Sequence, residues 1–233
     1  MQKKGIVIAH SFRNTFEQPV CLEAAKKFFE EGYAVLVFNF LGHGRSGGSL
    51  RDVSFRTTSE NVASAIKYLR GKNIAKIGVY AVSLGTIATV LSKEHPDAQF
   101  FISPSPLYNP RGLLERYSQF ISPQQKEILK KGYAIVTSRS GRGDFEMGEE
   151  WINEMENENG KIKERYISNK VPTLIIQGTK DELERLGGVK DFIDSTNTPY
   201  FSIQDGDHEL TNPEHRENVI SKAIDYFNKT LVI

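Results

Sequence analysis

The sequence predicts an α/β fold, a mostly parallel sheet of about six strands with helices on both faces and a small inserted cap. Three observations predict it. Short apolar or β-branched runs alternate with segments in which apolar residues recur at helical spacing. Glycine, proline and helix-capping residues separate many of these segments. The 233 residues suffice for one sizeable core, with or without an insertion.

The first part of the chain contains four predicted strands and three predicted helices. The strands cover residues 6–9, 33–40, 76–80 and 99–102, and the helices cover residues 19–31, 61–70 and 84–93. Gly32 marks the end of the first helix, and a capping box, Thr57-x-x-Glu60, is predicted to open the second. Strands joined in this way by helices are predicted to pair in parallel.

The same alternation resumes near the end of the chain. Strands are predicted at residues 172–177 and 200–203, and a helix between them at residues 182–195. Asn212 and Pro213 are predicted to open a last helix. Its apolar stripe consists of Val219, Ile220, Ala223, Ile224 and Phe227.

Residues 105–168 interrupt the alternation, so we expect them to form a cap inserted into a core of residues 1–104 and 169–233. Apolar residues recur at helical spacing from Leu113 to Ile121, and residues 133–137 are strand-like. Residues 146–164 are dense in glutamate, asparagine and lysine. This composition predicts a solvated helix face and not a membrane-seeking lid.

The charges of the chain nearly balance, with 30 lysine and arginine residues against 29 aspartate and glutamate residues. We therefore expect small or neutral partners, and no binding to nucleic acid or to an anionic membrane. No apolar run approaches the roughly 18 residues that cross a bilayer, and the run at residues 6–9 is too short for a signal peptide. The single cysteine, Cys21, excludes an intrachain disulfide and favours a cytoplasmic location.

The pentapeptide Ala81-Val82-Ser83-Leu84-Gly85 lies between a predicted strand and a predicted helix. Small residues on both sides of the serine allow a sharp turn that projects the hydroxyl above the sheet. Ser83 is therefore the candidate nucleophile. The alternative is a serine that only caps the following helix.

A serine hydroxyl needs an imidazole to take its proton, and a carboxylate to hold that imidazole in the right tautomer. His208 follows the last predicted strand, at the edge where a parallel sheet presents ligand-binding loops. His95 and His215 are predicted to be surface residues, and His10 precedes the serine. A solvated loop histidine remains the alternative for His208.

Asp181 follows the predicted strand at residues 172–177, so it can approach the same crevice as His208. Asp205 and Asp207 are its rivals. They are so close in sequence to His208 that orienting its ring would require a contorted loop. The chain order serine, aspartate, histidine also favours Asp181.

Glycines at 42, 44 and 47 match a dinucleotide-binding fingerprint after a strand. That fingerprint requires a helix to begin at once, but residues 48–52 have no apolar period. We therefore interpret the segment as a glycine-rich loop beside the site, with His43 in a structural role.

Over nearly its whole length the sequence resembles the α/β-hydrolase superfamily. The motifs that carry the resemblance are His10-Ser11-Phe12, Gly42-His43-Gly44-Arg45-Ser46, the segment around Ser83, Gly178-x-x-Asp181 and Asp207-His208. The resemblance implies a catalytic triad of Ser83, Asp181 and His208. It also implies an oxyanion hole made by the backbone amides of Phe12 and Leu84.

The sequence departs from the superfamily pattern at three places. Ser11 and Ala81 stand where glycine is usual. The antiparallel hairpin that often precedes the strand before His10 is expected to be absent, which leaves six parallel strands.

The resemblance implies acyl transfer through Ser83, without a metal or an organic cofactor. The short cap resembles those of small carboxylesterases, including cinnamoyl and feruloyl esterases, so hydrolysis of a small-molecule ester by a monomer or homodimer is expected. Serine aminopeptidases, thioesterases and lactone hydrolases remain alternatives, as does a non-catalytic binding module. Residues predicted to bind the substrate are Ser11, Tyr108, Tyr133, Phe145 and Trp151. Tyr117 and Phe120 are further aromatic candidates, whereas the acidic residues from Glu154 to Glu164 should face water.

Overall fold

A computed structural model describes residues 3–104, 109–119, 132–137, 143–158, 161–184 and 188–232. Its main sheet has six strands in the order β2-β1-β3-β4-β7-β8, and every neighbouring pair is parallel. The strands are β1 Lys3–Ala9, β2 Ala34–Val37, β3 Ile74–Val82, β4 Ala98–Ile102, β7 Thr173–Gly178 and β8 Tyr200–Ile203. The predicted α/β fold with its parallel sheet is confirmed.

Helices cover both faces of this sheet. They are α1 Pro19–Glu30, α2 Phe55–Gly71, α3 Leu84–Leu91, α4 Pro110–Ser118, α5 Glu149–Asn157, α6 Lys161–Asn169, α7 Val189–Thr196 and α8 Pro213–Thr230. None of these described helices is long and apolar enough to cross a membrane.

Alternating side chains of each central strand enter opposite hydrophobic clusters. In β1, Ile6 and Ile8 pack into the cluster formed with α1 and α8, whereas Val7 and Ala9 pack into the cluster formed with α2 and α3. Because successive side chains of a strand point to opposite faces, an apolar run without alternation is buried on both. This explains why the central strands could be recognised as short apolar runs.

The second helix begins earlier than predicted. Ser54, and not Thr57, is the N-cap of α2, and its hydroxyl accepts a hydrogen bond from the Thr57 amide. The Thr57 side chain returns the contact by accepting from the Ser54 amide. The predicted capping box at Thr57 is therefore wrong by one turn, because the preceding serine makes the same kind of box.

The helix predicted at residues 182–195 begins only at Val189. Oδ1 of Asp181 accepts a hydrogen bond from the Leu183 amide at 2.8 Å, which closes a local turn after β7. Gly188 then adopts a left-handed conformation with φ of 111° directly before α7.

The described residues between β4 and β7 lie outside the main sheet and include a two-stranded antiparallel sheet, β5 Tyr133–Val136 and β6 Phe145–Gly148. Helix α4 precedes this small sheet, and α5 follows it directly. Helix α6 contacts α3, and the Asn169 amide group donates to the Val90 carbonyl at 2.9 Å. Helix α6 therefore lies with the core helices, although it falls within the range expected to form the cap.

The segment predicted to be a solvated helix face is partly buried. Trp151, Ile152 and Met155 of α5 are buried in the larger cluster, as is Met147 of β6. The glutamates of α5 occupy the remaining faces of the helix. The composition of the segment, taken without the spacing of its residues, therefore did not reveal the apolar face.

The prediction that Glu154 faces water is also wrong. Its carboxylate accepts hydrogen bonds from the backbone amides of Phe55 and Arg56, at the beginning of α2. It thus holds α5 against the core.

Candidate active site

Ser83 stands at the turn between β3 and α3. Its backbone has φ of 50° and ψ of −110°, a strained conformation for a residue other than glycine. The Ser83 amide donates to the Ile102 carbonyl at 2.9 Å, which ties the turn to β4. A Cβ atom at Gly85 would lie 2.4 Å from the Ala9 carbonyl oxygen, so only glycine allows α3 to start this close to β1.

The structure brings Ser83, His208 and Asp181 together at the carboxyl ends of β3, β8 and β7. Nε2 of His208 lies 3.0 Å from Oγ of Ser83, and Nδ1 lies 2.8 Å from Oδ2 of Asp181. All three residues are buried, with between 4% and 9% of their surface exposed. A hydroxyl, an imidazole and a carboxylate in this order can pass a proton from the serine to the histidine.

Three groups donate hydrogen bonds to the Asp181 carboxylate and keep it ionised. Burial alone would raise the pKa of Asp181, but the hydrogen bond and charge of His208, with the Leu183 amide and the Gln177 side chain, lower it below the ordinary value. The Gln177 amide donates to Oδ2 at 2.5 Å. Sequence reasoning missed Gln177. A polar residue at the end of the apolar strand Thr173–Gly178 was the available signal.

The loops after β7 and β8 pack closely enough to bring Asp181 and His208 into contact. A Cβ atom at Gly178 would lie 2.1 Å from the Gly206 carbonyl oxygen, so the backbones meet at a point where no side chain fits. The Lys180 amide donates to the same carbonyl at 2.9 Å. This close approach explains the glycine in the motif Gly178-x-x-Asp181.

The rival aspartates have other partners. Asp205 pairs with Lys180 at 2.9 Å, and Asp207 accepts from the amide and the hydroxyl of Thr211. Among the described residues, only Asp181 contacts the His208 ring through a carboxylate. His95 is exposed and His215 half-exposed, away from this site.

The Phe12 and Leu84 amides flank the site at the end of β1 and at the first position of α3. Neither amide has a hydrogen-bond partner among the described residues. A first-turn amide has no partner within its helix, so the Leu84 amide can donate to a developing oxyanion.

His43 holds the loop that carries Phe12. Its Nε2 accepts from the Arg13 amide at 3.0 Å, and its Nδ1 donates to the Leu41 carbonyl at 3.0 Å. Burial lowers the pKa of His43, which favours the neutral ring that this acceptor role requires. The structural role predicted for His43 agrees with these contacts.

His10 connects the loop after β1 with the loop after β2. Its Nε2 accepts from the Phe40 amide at 3.0 Å, and Nδ1 donates to the Ser11 carbonyl at 2.8 Å. Burial lowers the pKa of His10 to about 4. It is therefore a neutral structural residue at neutral pH.

Ser11 lies beside Phe12, with 4% of its surface exposed. Its hydroxyl donates to the Gln18 side chain at 2.8 Å and accepts from the Asn14 side chain at 3.0 Å. The serine that replaces the usual glycine is thus part of a polar network at the cavity wall.

A cavity of about 520 Å³ opens beside Ser83. The aromatic side chains of Phe12, Tyr117 and Phe145 line it, and Trp151 packs on Phe12 with a ring-centroid distance of 4.4 Å. The described residues that line it are Ser11, Phe12, Arg13, Phe55, Ser83, Leu84, Leu113, Arg116, Tyr117, Val136, Thr137, Phe145, Trp151, Glu182, Leu183, Asp207, His208, Glu209 and Thr211. Its size suits a small organic ligand.

The predicted substrate-binding residues fall into three groups. Ser11, Phe145 and Trp151 line the cavity. Tyr133 is not among the lining residues. Its ring lies instead under the Arg51 guanidinium, 5.0 Å from the ring centroid, so the structure offers no basis for a role in substrate binding. Tyr108 and Phe120 lie outside the described residues.

A comparison with protein families matches residues 2–144 to the Hydrolase_4 model, described as serine aminopeptidase S33. The matched range contains Ser83 and both candidate oxyanion amides, and it ends before Asp181 and His208. A comparison with curated proteins found no match.

Solved structures of α/β-hydrolases are similar to this chain over nearly its full length. Est1E from Butyrivibrio proteoclasticus, solved with ferulic acid bound, has a TM-score of 0.78 and 16% identity, over 98% of this chain and 90% of its own. An esterase from Pyrococcus furiosus has a TM-score of 0.67 and 19% identity, over 99% and 84%. Mouse α/β-hydrolase domain-containing protein 10 has a TM-score of 0.68 and 20% identity, over 97% and 90%. At these identities the likeness shows the α/β-hydrolase fold.

Proposed function

The chain belongs to the serine aminopeptidase S33 family, Hydrolase_4, and on this premise we propose that it is a serine hydrolase that cleaves small carboxylic esters. One observation carries the proposal. Oγ of Ser83, the His208 ring and the Asp181 carboxylate form a continuous hydrogen-bonded chain at the wall of an aromatic cavity.

In the proposed mechanism Ser83 attacks the ester carbonyl while Nε2 of His208 takes the hydroxyl proton. Asp181 holds the histidine with its proton on Nδ1 and stabilises the imidazolium that forms. The Phe12 and Leu84 amides donate to the oxyanion of the tetrahedral intermediate. His208 then protonates the departing alcohol. Water attacks the acyl carbon while His208 takes a proton from it, and His208 returns that proton to Oγ of Ser83 as the acid leaves.

We further propose that residues 105–168 contribute a cap over the cavity, with α6 packed on the core. Tyr117, Phe145 and Trp151 come from this part of the chain and line the cavity, which supports that role. Est1E, the first of the similar structures, is described with ferulic acid bound, which makes aryl esters a sensible first substrate panel.

The test uses a fluorophosphonate probe, which labels an activated serine, together with hydrolysis of a short aryl ester. The protein should be labelled, and Ser83→Ala should abolish labelling and reduce turnover by roughly four powers of ten. Ser92→Ala is the matched control, because Ser92 is also buried but its hydroxyl bonds to the backbone of Glu94 at the end of α3. Labelling that persists without Ser83, or an unlabelled folded protein, would contradict the proposal and favour a binding module.

A serine aminopeptidase is the second candidate, favoured by the description of the matching family. The same triad would serve, since amide and ester cleavage share the acyl-enzyme route. Aminoacyl arylamides assayed beside the aryl esters distinguish the two activities.

A further inference from the structure

The charged residues that line the cavity are divided between its two sides. Arg13 follows β1, on one side of β3, and Arg116 lies in α4. Glu182, Asp207 and Glu209 lie in the loops after β7 and β8, on the other side of β3. Arg13 therefore marks a basic end of the cavity and the three carboxylates mark an acidic end, with Ser83, after β3, between them.

Tyr117 marks where the basic end lies. Burial raises the pKa of Tyr117 to about 12, and the charges of Arg116 and Arg13 act in the opposite direction on the same hydroxyl. Arg116 precedes the half-buried Tyr117 directly in α4, and both residues line the cavity together with Arg13. Its ring packs on Phe145 at a centroid distance of 5.9 Å, and the Arg13 guanidinium lies 4.5 Å from the centroid of that same Phe145 ring.

The two arginines differ in the contacts that their side chains make. Arg13 donates to the Gly143 carbonyl at 2.8 Å and stacks on Phe145, so its side chain is already positioned. The Arg116 side chain is half-buried and makes no hydrogen bond or ion pair with any residue in the described part of the chain. Arg111 of the same helix, by contrast, is exposed and lies 3.6 Å from Glu115.

Two carboxylates near the acidic end have other partners. Both carboxylate oxygens of Asp207 accept from Thr211, and the Asp181 carboxylate contacts the His208 ring. An anionic group on a ligand would be attracted to one end and repelled from the other, which orients the ligand across Ser83.

We propose that Arg13 and Arg116, with the Tyr117 hydroxyl, form a subsite for a carboxylate carried by the ester substrate. Guanidinium groups bind carboxylates with paired hydrogen bonds, and a phenol adds a further donor. The inference deepens the proposed esterase function and rests on it. It predicts a preference for esters with a free carboxylate over neutral esters of the same size.

The test compares kcat/KM within two matched pairs of esters. In the acyl-side pair, an aryl monoester of adipic acid is compared with the neutral methyl-ketone analogue of the same chain length. In the alcohol-side pair, carboxyphenyl butyrate is compared with acetylphenyl butyrate. The pair that shows the preference identifies which half of the ester carries the carboxylate.

The wild-type protein should prefer the charged ester in one pair. Arg116→Gln should reduce that preference about ten-fold or more, because a hydrogen bond to a charged group is lost. Arg13→Gln should act in the same direction, and Arg111→Gln, the control on the same helix, should leave the preference unchanged. Added salt should weaken the preference.

Binding without turnover provides an independent readout. Calorimetry on Ser83→Ala should show tighter binding of the adipate monoester than of its neutral analogue, and Arg116→Gln should remove the difference. Equal binding of the two esters, together with Ser83-dependent turnover that does not discriminate between them, would overturn the inference and leave the proposed function intact. If esters are not hydrolysed at all, the proposed function fails, and calorimetry alone decides the carboxylate subsite.

Discussion

Ser83 adopts a backbone conformation that costs a residue with a side chain about 1–3 kcal/mol. The surroundings maintain it: Ala81 is fully buried, Gly85 lies against β1, and the Ser83 amide bonds to Ile102. The hydroxyl is thus aimed by the fold and not by its own rotamer alone. Groups that the fold holds in place need little rearrangement when a reaction begins, which is the meaning of a preorganised site.

The identity of the orienting carboxylate can be tested by ranking three substitutions. Asp181→Asn should reduce kcat by roughly four powers of ten, because an amide favours the wrong tautomer of His208. Asp205→Asn and Asp207→Asn should have much smaller effects, since these side chains bond to Lys180 and Thr211. Steady-state kinetics on one aryl ester gives the ranking, and a larger loss for Asp207→Asn would show that the wrong carboxylate was chosen.

The residues of the candidate triad could be predicted from the sequence because each directly follows a recognisable strand. Their supporting contacts could not. Gln177 reaches Asp181 only because the loop after β7 turns back on its own strand. His43 meets the Arg13 amide across 30 positions of sequence, and no local pattern encodes such a contact.

At the scale of elements, the start of α2 is held by a helix distant in sequence. Glu154 of α5 accepts the amides of Phe55 and Arg56, and Arg56 also pairs with Glu150 at 2.7 Å. A carboxylate at a helix beginning satisfies free amides and interacts favourably with the helix dipole. This contact attaches the inserted segment to the core next to Phe55, which lines the cavity.

Glu154→Ala should lower the free energy of unfolding by about 1–2 kcal/mol, the usual cost of losing a helix cap. For a chain of this size the melting temperature should fall by roughly 2–4 °C per kcal/mol. Glu156→Ala is the control, since Glu156 lies on the same helix and is exposed. Thermal unfolding of the two variants checks the prediction, and equal melting temperatures would mean that the contact contributes nothing.

The aromatic residues of the insertion should set the preference between acyl groups. Alanine at Tyr117, Phe145 or Trp151 should change the ratio of activities on short-chain and aromatic esters at one or two of these positions. The expected discrimination is about 1 to 3 kcal/mol. Tyr133→Ala should leave the ratio unchanged, because Tyr133 packs under Arg51 outside the cavity. If every variant lowers all activities in parallel and melts earlier, these residues serve only as the core of the cap.

Strands were easier to predict than helix beginnings. An apolar strand buried on both faces is marked by its own residues, so β1 and β4 lie within three positions of their predicted bounds. Where a helix begins depends on which of several possible capping residues becomes the N-cap. At α2 the choice was decided by Ser54 together with Glu154, about a hundred positions away.

For the molecule as a whole, β3 connects two hydrophobic clusters. Val79 and Ala81 enter one cluster, and Tyr80 and Val82 enter the other. The strand is paired on both sides, so it belongs to the part of the fold that opens only with global unfolding. The position of Ser83 should therefore be insensitive to movement in the insertion.

The pH dependence of global stability should contain a contribution from Glu184. Burial, together with the nearby Asp181 carboxylate, raises the pKa of Glu184 to about 7. In the unfolded chain a glutamate has a pKa of about 4.3. The folded state therefore binds a proton more tightly, so this contribution to stability is complete below the unfolded pKa and disappears as the pH rises through about 7.

Glu184→Gln should remove this dependence. Relative to wild type, the melting temperature of the variant should rise between about pH 5 and about pH 8, because only the wild type must ionise a buried carboxyl. Glu182→Gln, at an exposed position two residues earlier, should show no such trend. A difference between Glu184→Gln and wild type that stays constant with pH would contradict the assignment.

The contacts of His10 and His43 bear on attempts to transplant this site into another scaffold. His10 accepts from the Phe40 amide, His43 accepts from the Arg13 amide, and Asn39 accepts from the Phe16 amide at 3.0 Å. Each loop thus supplies the acceptors for the other's backbone. The smallest unit that could be transplanted is therefore a pair of loops, residues 10–16 with residues 39–46. A graft of the first loop alone would lack the hydrogen-bond acceptors that hold its backbone in this conformation.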